Sequence, residues 1–219
     1  MRKTYYSRMP GLAITILLAL VLLSWISVSA QNRVGGAAVE SHEGLTVSAT
    51  PWMDAAKYKE KFPKKSPFSA GIIAVQVAFR NDSDDSIKVE LSQIRMTVHL
   101  DSENMQELPS LSAEDVAQAV LKPGAKDPTK RSRLPIPVGV PKGNPEKNFA
   151  ELQRQAQDAG VPSGVIAARC TVQGLLYFDL QNQFDLLQTA HLYVPQLEFM
   201  RGSRPLTYFD IDLGQRSSQ

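Results

Sequence analysis

At 219 residues, with 43% hydrophobic and 21% charged side chains, the chain has the composition of an ordinary globular protein. Its formal charge of +2 is close to balance, which excludes the strongly basic class that binds nucleic acid by neutralising phosphates. A single cysteine, Cys170, excludes a framework of intrachain disulfides, so the fold must rest on burial.

Residues 1–30 read as a signal peptide. Arg2, Lys3 and Arg8 form a basic start, "GLAITILLALVLLSWISV" is an apolar stretch, and Val28 and Ala30 are the small residues that precede a cleavage point. The alternative is an uncleaved membrane anchor, because the apolar run approaches the roughly 20 residues a spanning helix needs. No cysteine directly follows the run, which argues against a lipid anchor. Export to the periplasm, cell surface or medium is the expectation. Removing this segment lowers the 24 Lys and Arg by three, to 21 against 22 Asp and Glu, so the exported part is nearly neutral.

Residues 31–43 lack periodicity and contain Gly35-Gly36, which predicts a flexible lead-in. "GLTVSAT" alternates Leu45, Val47 and Ala49 with polar residues, a strand pattern. "PWMDAAKYKEKF" predicts one or two helical turns between Pro51 and Pro63. In "AGIIAVQVAFR", Ile73, Val75, Val77 and Phe79 share one face at period two. Its first half is apolar on both faces, which predicts a central strand covered on its second side.

"RNDSDDSIKV", residues 80–89, is rich in aspartate and raises the question of a cation site. A helix-flanked calcium loop needs a central glycine and a closing glutamate, and neither is in place. Asn, Asp and Ser bond their own backbone in turns, so the stretch reads as a strand connection. Asn81-Asp82-Ser83 also satisfies the glycosylation sequon, which matters only in a eukaryotic secretory host. Beyond it, alternation slips phase between Leu91 and Ile94, which predicts a bulge or bend dividing two strands.

From about 101 to 163 the pattern predicts a helical and proline-rich insertion. Ser112 and Asp115 form a capping pair ahead of "VAQAVL". Six prolines between Pro123 and Pro145 exclude regular structure there. Asn144 and Pro145 then start a second helix, with Phe149, Leu152 and Ala156 on one face, ending at Gly160. Strands resume near Val165. Leu176, Phe178 and Leu180 point inward with Tyr177 and Asp179 outward; Leu192 and Val194 point inward before Pro195, which is expected to end pairing at an edge. Phe209, Ile211 and Leu213 point inward with Tyr208, Asp210 and Asp212 outward, and residues 214–219 read as a disordered tail.

These elements predict a mainly β protein: one antiparallel β-sandwich domain over 44–213, its two sequence halves separated by the insertion. "VQVAFRNDSDDSIKVELSQIRM" resembles the N-terminal strands of bacterial exported immunoglobulin-like domains. "GLLYFDL", "LLQTAHLYVPQL" and "LTYFDIDL" are similar to segments of uncharacterised envelope or secreted proteins of environmental bacteria. The resemblance implies an immunoglobulin-like sandwich and supplies no catalytic residues. The antibody-type cysteine pair around a buried tryptophan is absent from the sequence.

Chemistry is sparse. His42, His99 and His191 lie far apart in sequence without metal-ligand spacing, and His99 and His191 read as strand-end polar residues. Hydrolase, zinc-peptidase, phosphate-loop and dithiol motifs are absent. Cys170, in an apolar segment, reads as a small buried hydrophobe. Neither a cofactor nor a metal is expected. Three surfaces remain. Asp179, Asp210 and Asp212 would approach one another if the two "YFD" strands were neighbours; the ordinary reading is solvated strand faces. Lys126, Lys130, Arg131, Arg133 and Lys142 form a basic stretch, with Lys122 and Lys147 at its ends, suited to an anionic polysaccharide, lipid headgroups or an envelope partner protein; the ordinary reading is a solvated, flexible loop. Tyr177 and Tyr208 offer an exposed aromatic pair; the ordinary reading is cross-strand packing.

The sequence therefore predicts an exported, non-enzymatic protein that binds an envelope component or partner protein. The alternatives are an accessory subunit of an envelope complex and a secreted hydrolase.

Overall fold

The computed structural model describes residues 32–34, 37–100, 104–121 and 145–214, all within one compact unit spanning residues 31–219. Strands β1 (Asn32–Val34), β2 (Ala37–His42) and β3 (Leu45–Pro51) form successive antiparallel pairs. Glu43 and Gly44 turn β2 into β3 with φ of 52° and 82°, the left-handed pair that a two-residue hairpin matching the strand twist requires. The segment 37–42, read from sequence as lead-in, is thus a sheet strand. It carries only one buried apolar side chain, Ala38, so its place comes from backbone pairing that leaves no alternation to read.

Asp54 accepts a hydrogen bond from the Ala56 amide at 2.8 Å and caps α1 (Ala55–Lys61). Pro51 closes β3 rather than starting the helix. β4 (Ile72–Asn81) follows a short 3-10 turn, Pro67–Ala70, which Gly71 ends at φ 83°. β5 (Ile87–Val89) and β6 (Arg95–His99) are separated by a 3-10 turn at Leu91–Gln93, where the hydrophobic phase slips. The slip is a change of sheet: β5 and β6 join different ones.

β7 (Met105–Pro109) pairs with β6, so the region after residue 100 begins as sheet before it becomes helical. The Ser112 hydroxyl accepts from the Asp115 amide at 3.1 Å, and the Asp115 carboxylate accepts from the Ser112 amide and hydroxyl at 3.3 and 2.7 Å. This reciprocal cap starts α2 (Ala113–Leu121). Ser112→Ala is expected to cost about 1 kcal/mol, read as a lower urea midpoint with unchanged slope. The long helix α3 (Pro145–Ala159) has Pro145 at its first position. Then come β8 (Val165–Ile166), β9 (Thr171–Asp179), β10 (Ala190–Val194), β11 (Leu197–Phe199), β12 (Arg204–Pro205) and β13 (Phe209–Asp212).

The protein is mainly β, with three antiparallel sheets ordered β1-β2-β3-β4-β9, β13-β10-β6-β7 and β12-β11-β5-β8. All three contribute to one apolar core: Val75, Val77 and Phe178 from the first, Met96, Leu192 and Ile211 from the second, Ile87, Ile166 and Leu197 from the third. β4 is the central strand anticipated from its two apolar faces. Ile73, Val75, Val77 and Phe79 enter this core, while Ile72 and Ala74 enter a second cluster on the sheet's other side.

Helices α1, α2 and α3 roof that second cluster with Tyr58, Val116, Ala117, Leu152 and Ala156. Gly174 lets α3 dock. A Cβ there would collide with the Gly160 carbonyl, and the approach is sealed by a bridge between Gly160 and Leu175.

Candidate functional site

The structure separates the residues that sequence reading had grouped. The two "YFD" strands, β9 and β13, belong to different sheets, so Asp179 does not join Asp210 and Asp212. Among the described residues, no group of three or more His, Cys, Asp or Glu side chains converges to hold a metal. Tyr177 is not exposed but only 3% accessible, packed beneath the helical roof. Its hydroxyl donates to the Ala156 carbonyl of α3 at 3.2 Å. Period-two alternation places Tyr177 opposite Phe178 but does not say that helices cover that second face. Tyr208 is exposed, at 53%. Lys126, Lys130, Arg131, Arg133 and Lys142 lie outside the described residues.

Cys170 is exposed rather than buried. It ends a tight turn from Ala167, where Arg169 takes φ 59° and Cys170 supplies backbone bonds, its carbonyl accepting from the Asn81 amide at 2.9 Å. Pro195 follows the last residue of β10, and that strand is interior, flanked by β13 and β6, not an edge.

The aspartate-rich stretch joins β4 to β5, and each charge has a structural partner. Arg80 pairs with Asp82 at 3.0 Å, Arg169 with Asp84 at 2.7 Å, and Asp85 accepts from the Arg201 amide at 3.0 Å. Asn81, fully buried, organises the connection from within.

What the fold does assemble is the outer face of the β13-β10-β6-β7 sheet. Alternation sends Met96, Val98, Leu192, Val194, Phe209 and Ile211 into the core. It leaves Arg95, Thr97 and His99 of β6, His191 and Tyr193 of β10, and Asp210 and Asp212 of β13 on the opposite side. His191 stands across from Thr97 on one flank and Asp212 on the other; Tyr193 stands across from Arg95 and Asp210.

Contacts along this face run between strands. His191 Nδ1 lies 3.1 Å from Asp210 Oδ1, and the His99 and His191 rings meet edge to face with centres 5.9 Å apart. Tyr193 and Tyr208 pack at 5.3 Å with planes tilted 50°. Arg95 is held by Glu107 of β7 at 2.7 Å. Sequence reading saw His99 and His191 only as residues 92 positions apart. Their meeting follows from β6 pairing with β10, an order that alternation does not encode.

The hairpin of β2 and β3 seals the free edge of β13. Glu40 Oε2 accepts from the Asp210 amide at 2.9 Å, and Glu43 accepts from the Thr207 amide at 3.2 Å. The His42 ring stacks on Phe209 at 3.8 Å. Carboxylates here take the place of a neighbouring strand, one way of closing an edge against unwanted pairing. The face is therefore carried on paired strands, with Tyr208 on the segment that leads into β13.

A separate hollow of about 220 Å³ lies between the chain after α1 and helix α3, lined by Lys64, Lys65, Asn148, Glu151, Leu152 and Gln155. It falls below the roughly 300 Å³ at which small-molecule sites begin. Lys64 bonds Glu151 at 2.8 Å across its mouth and holds that carboxyl below its ordinary value.

No family model matches the chain, and no curated protein matches it. A solved structure of a functionally unknown protein from Listeria monocytogenes EGD-e is similar over 72% of this chain and 70% of that one, at 14% identity and a TM-score of 0.34. Among the described residues, no helix is long and apolar enough to cross a membrane.

Proposed function

We propose that the protein is an exported immunoglobulin-like β-sandwich that acts by binding, not catalysis, with an envelope component or a partner protein as its ligand. The basic, apolar and small-residue pattern of residues 1–30 supports export. The core shared by the antiparallel sheets supports the sandwich.

The observation that carries binding is the outer face of the β13-β10-β6-β7 sheet. There Tyr193 and Tyr208 form an aromatic platform beside His191 and Asp210. Tyrosine offers contact area with a polar tip at low entropic cost, a property of recognition surfaces. These side chains stand on open sheet, where water reaches them, and catalytic groups draw their strength from a water-excluding cleft.

The test is retention of envelope components by the immobilised protein. Tyr193→Ala with Tyr208→Ala is expected to cut retention at least about tenfold, in line with the 1–2 kcal/mol or more carried by aromatic anchors. A second version lacking residues 124–142, and with them the basic stretch containing Lys126, Lys130, Arg131, Arg133 and Lys142, separates capture by the face from capture by positive charge. Retention unchanged in both versions would remove the binding reading.

One observation favours an assembly role instead. β7 is the other edge of the same sheet, and Met105 on it is 56% exposed. The Leu100 amide donates to the Asn104 carbonyl at 2.9 Å, so hydrogen-bonded pairs alternate along the β6–β7 ladder from that point and the amides of Met105 and Glu107 face the open side. Strand addition by another envelope subunit fits such an edge. Glu107→Pro removes one outward amide and would abolish that association while sparing capture by the tyrosine platform.

A further inference from the structure

We propose that His99 and His191 form a surface site for a divalent first-row transition ion of the imidazole-preferring class, Cu²⁺ or Zn²⁺, with Asp210 as the positioning residue. The proposal does not depend on the macromolecular ligand proposed above.

Three observations carry it. First, the two imidazoles project from adjacent antiparallel strands on one face, their ring centres 5.9 Å apart and their planes at 77°. An ion bound 2.0–2.1 Å from one nitrogen of each ring holds the ring centres roughly 5–6 Å apart, so only side-chain rotation is needed. Second, His191 Nδ1 faces Asp210 Oδ1 at 3.1 Å. A carboxylate only accepts, so in the neutral ring this contact places the proton on Nδ1 and leaves the lone pair on Nε2. A carboxylate behind a histidine in this way fixes the ligating tautomer and raises its basicity. Third, the charge around the pair is complementary to a cation. Asp210 and Asp212 of β13 flank His191, while Arg95, the cation on the same face, is engaged by Glu107.

The backbone on both sides is held in place. The Thr189 hydroxyl donates to the His99 carbonyl at 2.8 Å, and the Leu213 amide donates to the Ala190 carbonyl at 2.8 Å, tying β6 and β13 to β10 around the pair. His191 is half-buried and His99 exposed, so one ligand is fixed and the other free to swing onto the ion. Two imidazoles leave the remaining coordination positions to water. Such a site binds more weakly than a three-ligand centre and follows the order in which Cu²⁺ exceeds Zn²⁺.

The test uses the untagged protein with Cys170→Ser, which removes the exposed thiol as a competing ligand. Titration with Cu²⁺ and, separately, Zn²⁺ is expected to show one saturable equivalent, tighter for Cu²⁺. His99→Ala and His191→Ala should each abolish it, and Asp210→Asn should weaken it roughly ten- to hundred-fold, the usual cost of losing a partner behind a ligand. The Cu²⁺ electron paramagnetic resonance spectrum should show two nitrogen ligands in the parent and fewer in either histidine variant. All three side chains lie outside the core, so unchanged circular dichroism and melting without metal are expected of every variant. Absence of saturable binding, or binding that survives both histidine substitutions, overturns the proposal.

Discussion

Asn81→Ala is expected to lower stability by about 3 kcal/mol, and Asn81→Asp by more, because from a fully buried position the side chain ties the β4–β5 connection to the end of β8. Its amide nitrogen donates to the carbonyls of Asp85, Ile166 and Ala167 at 2.7, 3.2 and 3.1 Å. Its oxygen accepts from the Ser83 amide at 3.0 Å and the Ser83 hydroxyl at 2.6 Å. Alanine leaves those groups without their partner, at roughly 1–3 kcal/mol for each one kept from water.

Aspartate has the same shape and keeps the Ser83 bonds, but turns a negative oxygen toward three carbonyl oxygens. The penalty is therefore electrostatic as well as a lost donor. It carries a signature that alanine lacks. Protonation restores a donor, so the Asn81→Asp protein should recover part of its deficit as pH falls through the raised pKa of the introduced carboxyl. Urea unfolding at neutral and mildly acidic pH measures both. A loss below about 1 kcal/mol for alanine would mean that water enters and replaces the side chain.

Asn81 also shows how legibility was distributed. The turn chemistry of "NDSDDS" was visible in sequence, because Asn, Asp and Ser at a strand end bond locally. That Asn81 reaches the carbonyls of residues 166 and 167 was not, since no local pattern records a partner 85 positions away. The same division holds elsewhere. The inward faces of β4, β10 and β13 follow from period two, and the α2 cap follows from Ser112 and Asp115.

Alternation was silent in three places, each for a physical reason. β2 is held by backbone pairing and carries too few apolar residues to register. Tyr177 is buried because helices cover a second face that alternation reads only as "other". The His99–His191 pair depends on sheet order, which is set by the whole core rather than by either strand. Function inherits this limit: the residues grouped by the fold are those that non-local pairing brings together.

The second large effect is alkaline, and it arises under the helical roof. Burial pushes the Tyr58 phenol up to about 12, against a smaller opposing contribution from the Ala74 amide that donates to it at 2.8 Å. Burial likewise raises Tyr177, with the nearby Tyr58 adding to the shift.

In the unfolded chain both phenols ionise near their ordinary value of about 10. Below that pH both states hold the protons, and the contribution of these groups to stability is complete. As pH rises from about 10 toward 12, the unfolded state releases protons that the folded state keeps, so stability must fall. The slope is about 1.4 kcal/mol per pH unit for each phenol, hence about 3 for the pair while both remain protonated in the folded protein.

Single replacements separate the two. Tyr177→Phe is expected to cost about 1 kcal/mol at neutral pH, through its lost bond to the Ala156 carbonyl, and to halve the alkaline slope. Tyr58→Phe should halve it as well, but at a greater neutral cost of about 2 kcal/mol, because it strands the Ala74 amide and loses the bond to the Trp52 carbonyl. Ultraviolet titration gives an independent readout: Tyr58 and Tyr177 should resist ionisation until the protein unfolds. A slope unchanged in both variants would place the origin of the alkaline transition outside these two phenols.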